Sequence, residues 1–412
     1  MGGALVSLWF ALFGADRFDF ANGHGPFIAT PFITLTPLLI ASEMVRRRRL
    51  SHPVGISRRA LLYVAASAAL LCVVLTSVLV ARKIPVSSAR VTLLLIDVMG
   101  TFTVALLLSD RPDLGRIMAR GALLCLPLFV IFNFVEALHW IGRLPEDVRF
   151  GPLLFHLGPL QSAGPLPRLA GPVDDANRAG YLLLFYFVVV ARWEPRRWLR
   201  HAGIAAIVVL LLLTFSRSTS LAIVAAVAMS LLTTRRRPSL QPLLWTFATV
   251  AVAAGVLLLH PGLTQKALAA VAPISERVSA REGSAPSHVA IIRRGLTQAT
   301  SSVPRSLTGM GYGNSYLVLQ DYFPGSRYGN FHSLFVTMFA ESGIFALLLT
   351  LVLLFPPLTW PGPWRALVAG SVAFNLFYQT TTEPAFWFIL AAAWIGLRGD
   401  RPVTTALPPS RA

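Results

Sequence analysis

Charge is what this sequence has least of. Only 13% of its 412 residues are Asp, Glu, Lys or Arg, against 55% hydrophobic, and its mean hydropathy is +0.65. A soluble chain carries about a quarter charged residues, because its surface must be wetted. The shortage excludes a soluble enzyme and a disordered chain. Cysteine is nearly missing: Cys72 and Cys125 both lie inside apolar runs and read as small core residues, which excludes a disulfide scaffold. No run alternates apolar and polar residues as a transmembrane β-strand does, so helices are left as the spanning element. Metal-site patterns are absent as well. There is no His-Glu-x-x-His, no Cys pair, no Asp-x-Asp beside a span end and no Gly-x-Ser-x-Gly elbow.

What is present is a series of apolar runs, near 3–14, 27–44, 60–80, 91–109, 121–140, 178–191, 202–215, 219–233, 241–259, 332–356, 365–380 and 385–397. They predict an all-α, polytopic integral membrane protein of about twelve transmembrane helices, the shorter ones tilted or locally thinning the bilayer. The run at 3–14 has no basic flank or small-residue cleavage site, so it reads as a short first span rather than a signal peptide.

The net charge of +18 is almost entirely arginine, since lysine occurs only at positions 83 and 266. Short clusters between runs are topology signals, not a nucleic-acid surface. Arg46, Arg47, Arg48 and Arg49 form one, with Arg58 and Arg59; Arg111, Arg116 and Arg120 a second; Arg192, Arg196, Arg197 and Arg200 a third; Arg235, Arg236 and Arg237 a fourth. All are expected in the cytoplasm, with both termini. Residues 1–259 then hold helices one to nine, with an extracytoplasmic loop at about 141–177. A large, partly helical extracytoplasmic loop covers 260–331, helices ten to twelve cover 332–397, and 398–412 is a cytoplasmic tail.

The large loop carries Lys266, Arg277, Arg281, Arg293, Arg294, Arg305 and Arg327 against Glu276, Glu282 and Asp321. Such an electropositive face attracts phosphate. Within it, 287–300 reads as an amphipathic helix with Val289, Ile292, Leu296 and Ala299 on one face, lying on the membrane or packed as a lid. The stretch 165–172 reads as an irregular Pro-rich loop.

Four signals collect on the extracytoplasmic side. Asp174-Asp175-Ala176-Asn177-Arg178 opens span six, where Asp175 or Asn177 would serve as a helix cap. Ser216-Arg217-Ser218 lies in a link so short that Arg217 sits at the bilayer edge, either as a snorkelling anchor or as a functional cation. Gly309-Met310-Gly311-Tyr312-Gly313-Asn314 permits a tight turn whose N–H groups could hold an anion, though a purely structural turn is the simpler reading. Phe331-His332-Ser333 opens span ten; a histidine there is usually a cap or interface residue, but it is also the commonest general base.

In this order, and with His-Ser-Leu-Phe followed by Glu341-Ser342-Gly343-Ile344, the motifs resemble the O-antigen ligase and polymerase superfamily, which includes bacterial protein O-oligosaccharyltransferases. The likeness is clearest over spans six to ten. It implies a metal-independent glycosyltransferase of the bacterial inner membrane, without cofactor, acting periplasmically. The implied donor is a glycan on undecaprenyl pyrophosphate, and the acceptor a glycan or lipid A–core. By position, Arg217 matches the family's pyrophosphate-contacting arginine and His332 its essential histidine. The family's loop arginine precedes a Trp, and this loop has none. Arg281 is the first candidate for that role, with Arg293 and Arg294 beside it. Asn177, Arg178, Ser216, Gly311, Tyr312 and Asn314 are expected to support the site.

The chemistry suits those residues. Pyrophosphate is a good leaving group that needs fixed donors rather than an acid, and arginine offers a planar fork for phosphate oxygens. His332 would take the proton of the attacking acceptor hydroxyl, so that one displacement inverts the anomeric centre. Glu341 is read as structural. A ligase, a repeat-unit polymerase and a transporter or flippase for polyprenyl-linked sugar compete. Gathering of the suspect groups at one membrane face favours an enzyme over a transporter.

Overall fold

The structure is a computed structural model, and it describes residues 2–19, 30–51, 55–150, 153–157, 162–163, 166–233, 284–322 and 329–397. The ninth apolar run (241–259), Arg281, the first part of the large loop and the tail 398–412 lie outside the described residues.

Every other expected apolar run is helical. The helices are α1 (Gly2–Ala11), α2 (Pro31–Leu50), α3 (Arg58–Val78), α4 (Ile84–Leu108), α5 (Leu114–Trp140), α6 (Ala176–Trp193), α7 (Arg197–Thr214) and α8 (Arg217–Thr233). Then come α9 (Ser284–Ala299), α10 (Val303–Thr308), α11 (Leu334–Leu354), α12 (Pro356–Thr359), α13 (Arg365–Asn375) and α14 (Pro384–Ile395). Five of these stretches are long and apolar enough to cross a membrane: 58–78, 84–108, 114–140, 197–214 and 334–359. Helices suit that setting because all their backbone groups are satisfied within the segment. Local sequence sets several starts. Thr30 and Ser57 cap α2 and α3, accepting the N–H of Ile33 (3.4 Å) and Ala60 (3.2 Å).

One departure from an all-helical reading joins the segment after α1 to the first long loop. β1 (Phe18–Asp19), β2 (Asp147–Phe150) and β3 (Leu153–His156) form an antiparallel ladder in the order β1-β3-β2. A second ladder pairs β4 (Ser162–Ala163) with β5 (Leu166–Pro167), the latter inside the stretch read as irregular. These strands of two to four residues are too short to show an alternating pattern.

The short α1 is buried in the bundle. Gly121 of α5 lets it approach, since a Cβ there would lie 2.6 Å from the Ser7 carbonyl oxygen. Around it gather Trp9, Phe10, Phe13, Phe32, Phe185 and Phe388, with ring centroids 4.4 Å apart for Trp9 and Phe13 and 5.1 Å for Phe10 and Phe388.

The helices alternate in direction, which gives the bundle two chemically different ends. At one, Arg46 and Arg47 pair with Asp110 at 2.6 and 3.0 Å, and Glu43 takes Arg46 and Arg111 at 2.7 and 2.5 Å. Arg59 stacks over Trp360 at that end, 4.4 Å from its ring centre. Arginines read as topology signals therefore also tie α2 to the α4–α5 link, and α3 to the residue after α12. The opposite end holds the cavity described next.

Only half of the amphipathic face expected for α9 packs: Ile292 and Ala299 do, Val289 and Leu296 do not. Val289 and Leu296 are 61% and 44% exposed, whereas Ile291 and Ala299 are buried. Gly295 explains the difference. A Cβ there would lie 2.5 Å from Val336 and 2.8 Å from Phe331, so the helix docks on α11 through its smallest residue.

Candidate functional site

A cavity of about 1510 Å³ opens among the loop after α1, the first half of α4, residues 168–178, the start of α8, the start of α9 and the links before α11 and α14. Its wall includes Arg168, Asn177, Arg178, Arg217, His288, Tyr312 and His332.

Its cationic side is built by a two-residue turn. Phe215 closes α7 in the left-handed region (φ 48°), and α8 starts at Arg217, which is exposed to the cavity. The Ser216 hydroxyl accepts the Thr219 N–H (3.3 Å) and donates to Asn177 Oδ1 (2.9 Å). The same Asn177 oxygen accepts Arg168 Nη2 at 2.8 Å, while Arg168 Nε donates to the Thr214 carbonyl at 3.0 Å. Ser216 and Asn177 thus hold a second arginine beside Arg217. The loop carrying it is pinned below: Ala170 and Gly171 donate their N–H groups to the buried Glu136 carboxylate (2.9 Å each), which also pairs with Arg17 at 2.5 Å.

Asp175 is the cap of α6, accepting the N–H of Asn177 (2.7 Å) and Arg178 (3.2 Å). Arg178 is taken up by carboxylates: Asp16 at 2.6 Å, and Asp174 and Glu383 at closer range. Its fork therefore organises an acidic wall. Burial pushes the Glu383 carboxyl up to about 7, against the pull of Arg178.

His332 has a left-handed backbone (φ 51°), a conformation few side chains adopt but histidine tolerates better than most. Asn330 Oδ1 accepts its N–H at 2.9 Å. The His288 ring lies over it, centroids 4.3 Å apart. Burial, and next the neighbouring His288, push the His332 imidazole down to about 4. His288 is lowered too, by burial and then by Arg217 and Arg168. Both rings are uncharged at neutral pH.

The glycine turn holds an anion, and that anion belongs to the protein. Glu341 accepts the N–H groups of Gly313 (2.8 Å) and Ser315 (2.9 Å) through its buried carboxylate. Gly343 (φ 84°) interrupts α11, and the carbonyls of Ala340 and Glu341 then accept the N–H of Met310 (3.0 Å) and Gly311 (2.9 Å). Tyr312 donates its N–H to Ser77 Oγ (3.1 Å), and Asn314 Oδ1 accepts that of Lys83 (3.2 Å). Gly311, Tyr312 and Asn314 thus brace the turn, and of the three only the Tyr312 residue reaches the cavity wall.

Arg217, His332, Asn177 and Arg178 meet at this cavity. Arg293 is exposed on α9 and is not part of the wall. Sequence reasoning missed Arg168, His288, Asp16 and Glu383. Arg168 was hidden in a Pro-rich loop, and His288 in a helix read for its apolar face. No signal in the sequence pairs Asp16 and Glu383 with Arg178.

Neither a curated protein nor a solved structure matches the chain. Residues 202–351 match the family model described as O-antigen ligase. The match supports enzyme activity of the O-antigen ligase or polymerase type, with lipid-linked glycan and polysaccharide substrates in general. The stretch that carries Arg217, the glycine turn, His332 and Glu341 is thus similar to the O-antigen ligase family.

Proposed function

We propose that the protein transfers a glycan from undecaprenyl pyrophosphate to an acceptor hydroxyl, as a ligase delivering to lipid A–core or another surface acceptor. The reaction takes place on the extracytoplasmic face of the bacterial inner membrane, with both termini and the arginine clusters in the cytoplasm. What carries this reading is that Arg217 and His332, far apart in sequence, line one cavity at the end opposite those clusters.

Arg217 and Arg168 bind the pyrophosphate oxygens and stabilise the charge that grows as the sugar–oxygen bond breaks. His332 accepts the acceptor hydroxyl's proton as that oxygen attacks the anomeric carbon. An imidazole held neutral is free to do so, and a bound pyrophosphate beside it raises its basicity. No divalent metal takes part. The leaving pyrophosphate carries its own negative charge, so no acid is needed.

The glycan profile of a strain lacking the protein tests this. Loss of surface glycan, with long chains retained on the lipid carrier, is expected. Single-repeat surface glycan would make the protein a polymerase instead, and an unchanged profile would overturn the transfer reading.

A further inference from the structure

One charged group in the cavity is unused by this chemistry. Asp97 sits midway along α4, a helix long and apolar enough to span a membrane, and is 5% exposed. It lines the cavity. Its backbone carbonyl accepts the Thr101 hydroxyl at 2.5 Å, but its carboxylate has no hydrogen bond or ion pair among the described residues. Arg178, the cation acting on it, is already committed to Asp16, Asp174 and Glu383. A buried carboxylate with no partner is costly, and ionisable groups inside a membrane are rare unless they serve a ligand.

The surroundings narrow the ligand. Phosphate is not drawn to Asp97, because this group and Glu383 are both carboxyls and Arg178 is taken. Neutral hydroxyls are not repelled, and each donates a hydrogen bond to a carboxylate. Asp97 also acts on Tyr312, and Phe32 lies across α4 at Gly100, so polar and aromatic surfaces adjoin as a sugar ring requires. In a displacement the nucleophile enters on the side away from the leaving group, hence away from Arg217 and Arg168.

Resting on the transfer reading above, we propose that Asp97 is the floor of a saccharide subsite, where its carboxylate takes hydroxyl groups of the acceptor glycan. Asp97→Leu and Asp97→Asn test this in the purified full chain, with lipid-linked donor and oligosaccharide acceptor extracted from the cells that make the protein. Asp97→Leu should melt no lower than wild type, because it removes a buried polar group that has no partner in the protein. It should also raise the apparent KM for acceptor about 10-fold or more, the worth of a hydrogen bond to a charged group. Asp97→Asn, which keeps an oxygen acceptor, should fall between. Inhibition by inorganic pyrophosphate should be unchanged. A raised KM for donor alone would overturn the acceptor assignment, moving the hydroxyl contact to the donor glycan. Unchanged KM values, weakened pyrophosphate inhibition, or a lower melting temperature with only kcat reduced would overturn the subsite. If wild type transfers no glycan, the transfer reading fails instead.

Discussion

The imidazole of His288 lies over that of His332, ring centroids 4.3 Å apart and planes 30° apart. Forty-four positions separate them in sequence, yet His288 helps hold the His332 ring down. Because His332 is held down to about 4, it stays proton-free well below the pH at which an ordinary histidine charges. The acid limb of kcat/KM should therefore fall below about pH 6, the ordinary value being about 6.5. Replacing His288 with Gln removes one cause of the depression, so the limb should move toward neutral pH. A limb at the ordinary value in wild type, unmoved by His288→Gln, would separate the pair from catalysis.

His332→Ala should lower transfer by roughly 10²–10⁴-fold, the usual worth of a positioned acid–base group. Donor affinity should change far less, since a neutral ring adds no charge against phosphate. Turnover by purified protein with EDTA present measures both this and the metal-free mechanism. Normal turnover of the mutant, or loss with EDTA and rescue by Mg²⁺, would reject the mechanism.

Arg217→Ala should abolish transfer and Arg217→Lys leave little, because lysine keeps charge but loses the fork. Arg168→Lys should weaken inhibition by inorganic pyrophosphate in the same direction. Wild-type product from stably expressed Arg217→Ala would return that residue to a membrane anchor.

Arg178→Ala should act through the fold. It leaves Asp16 and Glu383 buried without their cation, a change that costs about 3–5 kcal/mol when a buried pair is broken. Thermal denaturation should show the loss even without substrate. An unchanged melting temperature would mean that the carboxylates are not held by this residue.

Glu341→Ala should be comparably harmful, since two buried N–H groups lose their acceptor at about 1–3 kcal/mol each. Gly343→Ala tests the same clasp from the other side: its Cβ would lie 2.0 Å from the Leu307 carbonyl oxygen. Melting temperatures of both variants near that of wild type would rule out the clasp.

Residue pattern alone was enough for the apolar helices, the arginine-rich end and the motif order from Asp174 to Gly343. The reason is local: long apolar runs become helical where no water can satisfy the backbone, and caps such as Ser57 and Asp175 act within a turn. Tertiary structure decided what those motifs do. Which anion fills the glycine turn depended on Glu341 arriving from a helix that Gly343 breaks. Which cation joins Arg217 depended on a loop pinned by Glu136, and which carboxylates surround Arg178 on Asp16 and Glu383, from distant parts of the chain. The packed face of α9 turned on Gly295, because close approach rewards the missing side chain and apolar periodicity counts only the ones present. Pairings of that kind depend on distances in space, and spacing along the chain does not encode them.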